Sequence, residues 1–340
     1  MNSLLILPLV VAFFVTFLVM PIWIRKARKM NLMWPDMNKY KNPRNVVGSG
    51  GIVAVTGFIL SILVYIAIKT FYFHSNEKIM EIFALTTMIL ILTIIGLVDS
   101  LFGWGGGLVR DGLRRRYRMI LCVFAAIPLM VINAGSSSIN IPFFGLVNLG
   151  WIYPLILIPV GIVGASTTFN FLAGFNGLEA SQGILLLAAL SIIAYLTGSS
   201  WLALIGLCII FALLAFLIFN WCPAKVLPGD VLTYPIGGLI AAMAILGNFE
   251  RIAVFFFIPN IIEVVLKIRG RLKKQSFGKP DKDNKLDLAY DKVYSLNHIA
   301  IILLKKIKGE ASEKEVVYVI NIFQLIIILI GFLLFFGGVL

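Results

Sequence analysis

Ten apolar stretches, most of them 15 to 22 residues long, follow one another along this chain with short polar gaps between them. That length is close to the ~20 helical residues a bilayer core requires. In lipid only helices and closed barrels satisfy their own backbone hydrogen bonds, and long apolar runs without alternation predict helices. The stretches run 3–24, 51–68, 79–98, 119–132, 151–169, 184–196, 201–219, 231–246, 252–266 and 316–340, the fourth and sixth being short. With 60% hydrophobic and 13% charged residues among 340, a soluble fold would leave more apolar surface than it could bury. The expected fold class is an all-α integral membrane protein of about ten transmembrane helices. It forms one domain over 1–340, in which 267–315 is a basic loop between the ninth and tenth spans.

No Lys or Arg precedes the first stretch, whereas Arg25, Lys26, Arg28 and Lys29 follow it. This is the reverse of a cleaved leader, so the segment is expected to remain as the first span. Cys122, Cys208 and Cys222 lie in or beside apolar stretches at spacings that suit neither a zinc site nor a disulfide framework, and read as packing residues. The loops after odd-numbered spans hold 26 of the 29 Lys and Arg, and the other side has only Lys69, Lys78 and Arg251. By the positive-inside rule the odd exits face the cytoplasm and both termini lie outside. Much of the basic excess is thereby topological. Attraction to anionic lipid accounts for most lysines of the ninth loop without any substrate, and no nucleic-acid partner is expected.

The same parity gathers the polar residues on one face. Asp36, residues 48–51, Asp99, the basic run from Arg110 to Arg118, the stretch Asn170 to Gln182, and Lys225 to Asp230 all fall at cytoplasmic helix ends, whereas 133–150 carries no charge. A transporter would hold such groups near the bilayer midplane. Here the clear mid-span charge is Glu263, either paired inside the bundle or close to the interface. Asn170 to Gln182 joins two asparagines, a glutamate and two glycines between apolar segments, which suits a ligand site on a tightly turning backbone or, more plainly, a solvated loop. Asp99, Asp230 and the Asn170 amide make an oxygen-rich set suited to Mg²⁺, which takes one or two carboxylates plus substrate phosphates. Nearby arginines would hold a diphosphate, and phosphoryl transfer depends on such positioning and charge neutralisation. The lone His298, in an amphipathic stretch, reads as structural.

Four segments carry a resemblance. Asn170 to Gln182 follows the pattern NxLAGxNGLEAxQ; Gly96 to Asp99 is followed by Gly103, Trp104 and the basic run to Arg118; Asn220 to Asp230 is close to NWxPaxvfvGD; and Pro35 to Lys39 precedes Pro43, Gly50 and Gly51. On these motifs, over nearly its whole length, the chain resembles the polyprenyl-phosphate N-acetylhexosamine-1-phosphate transferases of glycosyltransferase 4 type. The likeness is greatest to the eukaryotic and archaeal branch that makes dolichyl diphosphate N-acetylglucosamine from UDP-N-acetylglucosamine.

The resemblance implies a ten-helix membrane enzyme that passes the sugar phosphate of a UDP-sugar to a polyprenyl or dolichyl phosphate, the first step of lipid-linked glycan assembly, releasing UMP. It implies Mg²⁺, or Mn²⁺ in its place, on Asn170 and Asp230. Asn176, Gly177, Glu179 and Leu227 would meet the nucleotide. Asp99 would orient the lipid phosphate, with Arg118 on phosphate, while Arg116, Lys274 and Lys279 would hold sugar and diphosphate. Asp36, Lys39, Gly50 and Gly51 belong to the loop after the first helix. Donor, lipid acceptor and membrane lipid are the expected partners, with a homodimer left open. The expected location is the cell membrane, or the endoplasmic reticulum membrane in a eukaryote. The chain departs from the family pattern at Ser100, where a second aspartate is usual, at Thr167 in place of an asparagine, at Leu227 in place of a base-stacking aromatic, and in a ninth loop with lysines but no histidine motif. An impaired binder of nucleotide sugar or lipid phosphate, motivated by Ser100, and a transporter are the alternatives.

Overall fold

A computed structural model describes residues 3–103, 112–141 and 145–338. Trp104 and Arg110, at the start of the basic run, lie outside the described residues. The helices are α1 (Leu7–Lys29), α2 (Gly51–Ala67), α3 (Ile79–Phe102), α4 (Arg115–Val131), α5 (Ile158–Phe171), α6 (Leu178–Leu196), α7 (Ser200–Asn220), α8 (Asp230–Gly247), α9 (Glu250–Phe256), α10 (Ile258–Arg269), α11 (Leu296–Lys308) and α12 (Glu313–Phe336). Three antiparallel hairpins sit in the connections: β1 (Met33–Pro35) with β2 (Arg44–Val47), β3 (Ser138–Ile141) with β4 (Gly145–Asn148), and β5 (Lys279–Pro280) with β6 (Leu286–Asp287).

Among the described residues eight helical segments are long and apolar enough to cross a membrane, and each coincides with an expected span. The other two expected spans take different forms. The fourth falls on α4, 17 residues long. The ninth is two helices, broken at Phe257 so that Pro259 sits in the first turn of α10, where a missing N–H is tolerated. The sixth, short by hydropathy, reaches back to Leu178, so that polar Glu179, Ser181 and Gln182 are buried in its first turns. Asn170 to Gln182 is therefore not a solvated loop.

The centre of the bundle is α8, in which every residue from Asp230 to Ile245 is buried. Periphery and centre differ as a lipid-facing bundle should. α1 and α12 expose Leu18, Ile22, Leu329 and Leu333, side chains that water would penalise and lipid accepts. One glycine sets the seam between α3 and α8. A Cβ on Gly96 would lie 2.4 Å from the Asp230 carbonyl group and 2.5 Å from the Val231 nitrogen. Only a bare α-carbon admits this approach, and one turn later α3 presents Asp99 beside the start of α8.

Gly96→Ala should lower the unfolding midpoint of detergent-solubilised protein by an amount equivalent to about 1–3 kcal/mol, the usual cost of overpacking. Gly164→Ala on α5, where an added Cβ meets nothing within 4 Å, should be neutral or slightly stabilising. Equal effects in a thermal melt would contradict the close α3–α8 seam.

Candidate active site

The connections after α1, α5, α7 and α10, with the end of α3 and the start of α4, converge at one end of the bundle around a cavity of about 420 Å³. The β1–β2 hairpin pins the connection into α8. Leu227 N donates to Val47 O at 2.7 Å, Gly50 N to Leu227 O at 2.9 Å and Gly51 N to Pro228 O at 3.1 Å. Backbone groups that would otherwise be orphaned at the bundle end are satisfied between the two loops.

Two buried carboxylates share one guanidinium at this cavity. Arg118 Nη1 lies 3.3 Å from Asp99 Oδ2 and 3.3 Å from Asp230 Oδ2. The backbone N–H of Leu113 donates to Asp99 Oδ1 at 2.7 Å. The Thr233 hydroxyl, one turn after Asp230 on α8, donates to Asn170 Oδ1 at 2.9 Å, which turns the Asn170 carbonyl oxygen toward α8. Among the described residues no three His, Cys, Asp or Glu cluster as a metal site. The donor set is two carboxylates and an amide oxygen.

The loop between α5 and α6 is held by one carboxylate of its own, at the start of α6, and by two from distant parts of the chain. Glu179 Oε1 accepts from Gly174 N at 2.9 Å, and its Oε2 is buried without a partner among the described residues. Glu313, at the start of α12, accepts from Asn176 N at 2.9 Å and from Lys39 Nζ at 2.6 Å. The Asn176 amide also donates to Asp36 Oδ2 at 3.1 Å. Burial first, and then the Glu313 charge, raises the Asp36 carboxyl above its ordinary range. Burial pulls the Lys39 ammonium down, but its bond to Glu313 and the neighbouring acids more than offset this and raise it.

The ninth loop is fixed from beneath. Glu263 is fully buried and paired, accepting from Leu296 N at 2.7 Å and Ser295 Oγ at 3.1 Å at the start of α11, with Lys267 Nζ 3.6 Å away. Lys267 donates to Lys274 O at 3.2 Å and to the Ser276 hydroxyl. His298 accepts from Tyr294 N at Nδ1, 3.2 Å, leaving Nε2 to donate to Phe277 O, 3.2 Å; burial lowers its pKa. Phe277 lies across Gly174 (φ +110°), where a Cβ would come within 2.6 Å of the ring.

Residues 82–248 match the family described as glycosyl transferase family 4. A Saccharolobus solfataricus protein is 35% identical over 93% of this chain and 92% of its own length, and its name assigns it provisionally as a UDP-N-acetylglucosamine–dolichyl-phosphate N-acetylglucosaminephosphotransferase. The chain belongs to glycosyl transferase family 4. The Dictyostelium discoideum UDP-N-acetylglucosamine–dolichyl-phosphate N-acetylglucosaminephosphotransferase is 26% identical over 89% of the chain and 81% of its own. A phospho-N-acetylmuramoyl-pentapeptide-transferase of Halalkalibacterium halodurans is 29% identical over 79% and 83%.

In this family 4 chain the cavity lining includes Asp36, Arg118, Asn170, Asn176, Glu179 and Asp230, together with Leu227 and Lys274. Asp99 reaches it through Arg118. Gly50, Gly51 and Gly177 pack behind the lining, against Val226, Leu232 and Trp221. Lys39 is turned to Glu313, and neither Arg116 nor Lys279 is among the lining residues. Lys274 lies over the Tyr290 ring, 4.6 Å from its centroid. Thr167 donates to Val163 O of its own helix at 2.7 Å and does not replace a site amide. Sequence reasoning missed Glu313, Lys267 and Phe277. Glu263 and Lys267 at i, i+4 spacing carried a signal of a paired buried acid; Glu313 has its partners far away in the chain and carried none.

Because the folded state disfavours the His298 proton, the unfolded chain binds it more tightly below its ordinary 6.5. Stability should therefore fall as the pH drops below 6.5 and be fully present above it. His298→Gln, which keeps a donor and an acceptor, should remove this part of the decline, read as the wild-type-minus-variant difference in unfolding midpoint across pH. A difference independent of pH would contradict the neutral, buried imidazole.

Proposed function

We propose that this family 4 chain transfers N-acetylglucosamine-1-phosphate from UDP-N-acetylglucosamine to dolichyl or another polyprenyl phosphate, releasing UMP, with Mg²⁺ and at the cytoplasmic face of the membrane. The observation that carries the reading is the sharing of Arg118 by Asp99 and Asp230 at a cavity formed by the family's motif segments. The names of the Saccharolobus and Dictyostelium relatives support the donor and acceptor, and the concentration of Lys and Arg on this side supports the orientation.

The residues fit a hard cation. Asp230 and the Asn170 oxygen, turned toward α8 by Thr233, would hold it, leaving the small number of protein ligands typical where substrate phosphates complete the set. The chemistry that Mg²⁺ supplies when bound is neutralisation of diphosphate charge. Asp99, fixed by Leu113 N and Arg118, orients the acceptor. A lipid phosphate is already anionic near neutral pH, so Asp99 need not remove a proton. An acceptor oxygen bonds to the sugar-bearing phosphorus, the bond from that phosphorus to the bridging oxygen breaks, and the electron pair leaves with UMP. Arg118 offers its cation to the phosphates, and Lys274 can leave the Tyr290 ring to do the same. Exclusion of water by the buried loops favours the lipid acceptor over hydrolysis.

Purified protein given UDP-N-acetylglucosamine, dolichyl phosphate and Mg²⁺ should release UMP. Asp230→Ala should reduce the rate by at least roughly 100-fold, the scale of losing charge stabilisation in a transfer site. No Mg²⁺-dependent UMP from the wild type across several UDP-sugars would refute the transferase, and net substrate flux without chemistry would favour a transporter.

A further inference from the structure

Asn176 lines the cavity yet is held almost entirely by other protein groups. Its side-chain amide donates to Asp36 Oδ2 at 3.1 Å and to Glu313 Oε2 at 3.4 Å, and its backbone N–H donates to Glu313 Oε1 at 2.9 Å. An ionised carboxylate only accepts, whereas an amide can turn either end outward. With carboxylates on both sides, rotating the Asn176 amide would set its oxygen against two acceptors. The nitrogen end is consumed, and the carbonyl oxygen takes no hydrogen bond from the described residues.

The two carboxylates are themselves fixed. Glu313 lies in the first turn of α12, where the helix dipole favours negative charge, and it receives Lys39 Nζ at 2.6 Å and the Cys222 thiol at 3.2 Å. Asp36 Oδ1 faces the backbone N–H of Asn38 at 3.4 Å, and the Asn38 amide donates to Gly174 O at 2.7 Å. The loop after α1, the loop before α6 and the start of α12 are thus tied at one point, next to a side chain that lines the cavity.

We propose that Asp36 and Glu313 are specificity-determining positioning residues: by taking both amide hydrogens of Asn176 they present its carbonyl oxygen to the cavity as an obligate acceptor, which selects a nucleobase whose pairing edge carries an imide N–H. Uracil has this N3–H, whereas the N3 of cytosine is itself an acceptor and would meet the Asn176 oxygen as like against like. A site built around one hydrogen bond rejects the base that lacks it. The inference rests on the uridine-nucleotide reading above and adds which residues enforce it.

The test is a ratio. Dissociation constants for UDP and CDP are measured by titration calorimetry on the purified full chain with Mg²⁺. The wild type should prefer UDP by roughly 10- to 100-fold, the range of one well-placed base contact. Asp36→Asn, and Glu313→Gln made together with Lys39→Met to avoid a stranded ammonium, should each bring the ratio to within about threefold, because the freed amide can then offer either end. In an Asn176→Ala background the same substitutions should leave the ratio unchanged, since the group they orient is gone. Asp36→Asn is nearly isosteric and keeps the test decisive if the Glu313 variant does not fold. Equal weakening of UDP and CDP, or a ratio that still shifts in the Asn176→Ala background, overturns the inference while leaving the uridine reading intact. A wild type that binds neither nucleotide, or both equally, overturns the uridine reading and the inference with it.

Discussion

Two carboxylates and one guanidinium meet at the buried end of an apolar bundle, and the arrangement of the surrounding loops follows from keeping that charge group together. Asp99 and Asp230 would repel each other without the Arg118 cation between them, and removing a partner from such a group leaves an uncompensated buried charge. The charges meet only because α3 and α8 touch backbone to backbone at Gly96. A residue chosen for its lack of a side chain thus determines the distance between two residues chosen for theirs. α8, wholly buried from Asp230 to Ile245, is the rigid element against which the other parts are placed.

The loops follow a second rule. A cavity built from loop backbone at the end of a membrane bundle has many N–H donors and few regular acceptors, and buried carboxylates on the neighbouring helices fill the gap. Glu263 takes the first N–H of α11 and pairs with Lys267 beneath the ninth loop; Glu313 takes the N–H and amide of Asn176 together with Lys39. Each is buried, accepts from several distant segments and contributes chiefly to loop placement. Carboxylates of this kind convert flexible connections into a defined surface, as precise ligand recognition requires.

Much of the architecture was legible in the linear chain. Hydropathy located the eight described helices long and apolar enough to cross a membrane, and parity put on one side the connections after α1, α5, α7 and α10 that meet at the cavity. It misjudged helix continuity at Phe257, where a local break hides inside an apolar run, and the start of α6, where polar residues are buried because other loops cover them. The motif segments also led to Asp99, Arg118, Asn170, Asn176 and Asp230, which gather at the cavity. Glu313 remained hidden because its partners lie 137 and 274 positions away, and pairing at such separation leaves no local pattern.

Sequence by itself determined the class of protein and the inventory of reactive groups, since membrane helices follow from the length of apolar runs and the cost of unsatisfied backbone in lipid. Only the tertiary structure decided how those groups are presented. Whether Glu263 was paired, whether Asn170 to Gln182 was solvated and which protein groups take the Asn176 amide hydrogens all depend on hydrogen-bond partners supplied by remote segments. An amide or carboxylate has no fixed role until the fold provides its donors and acceptors.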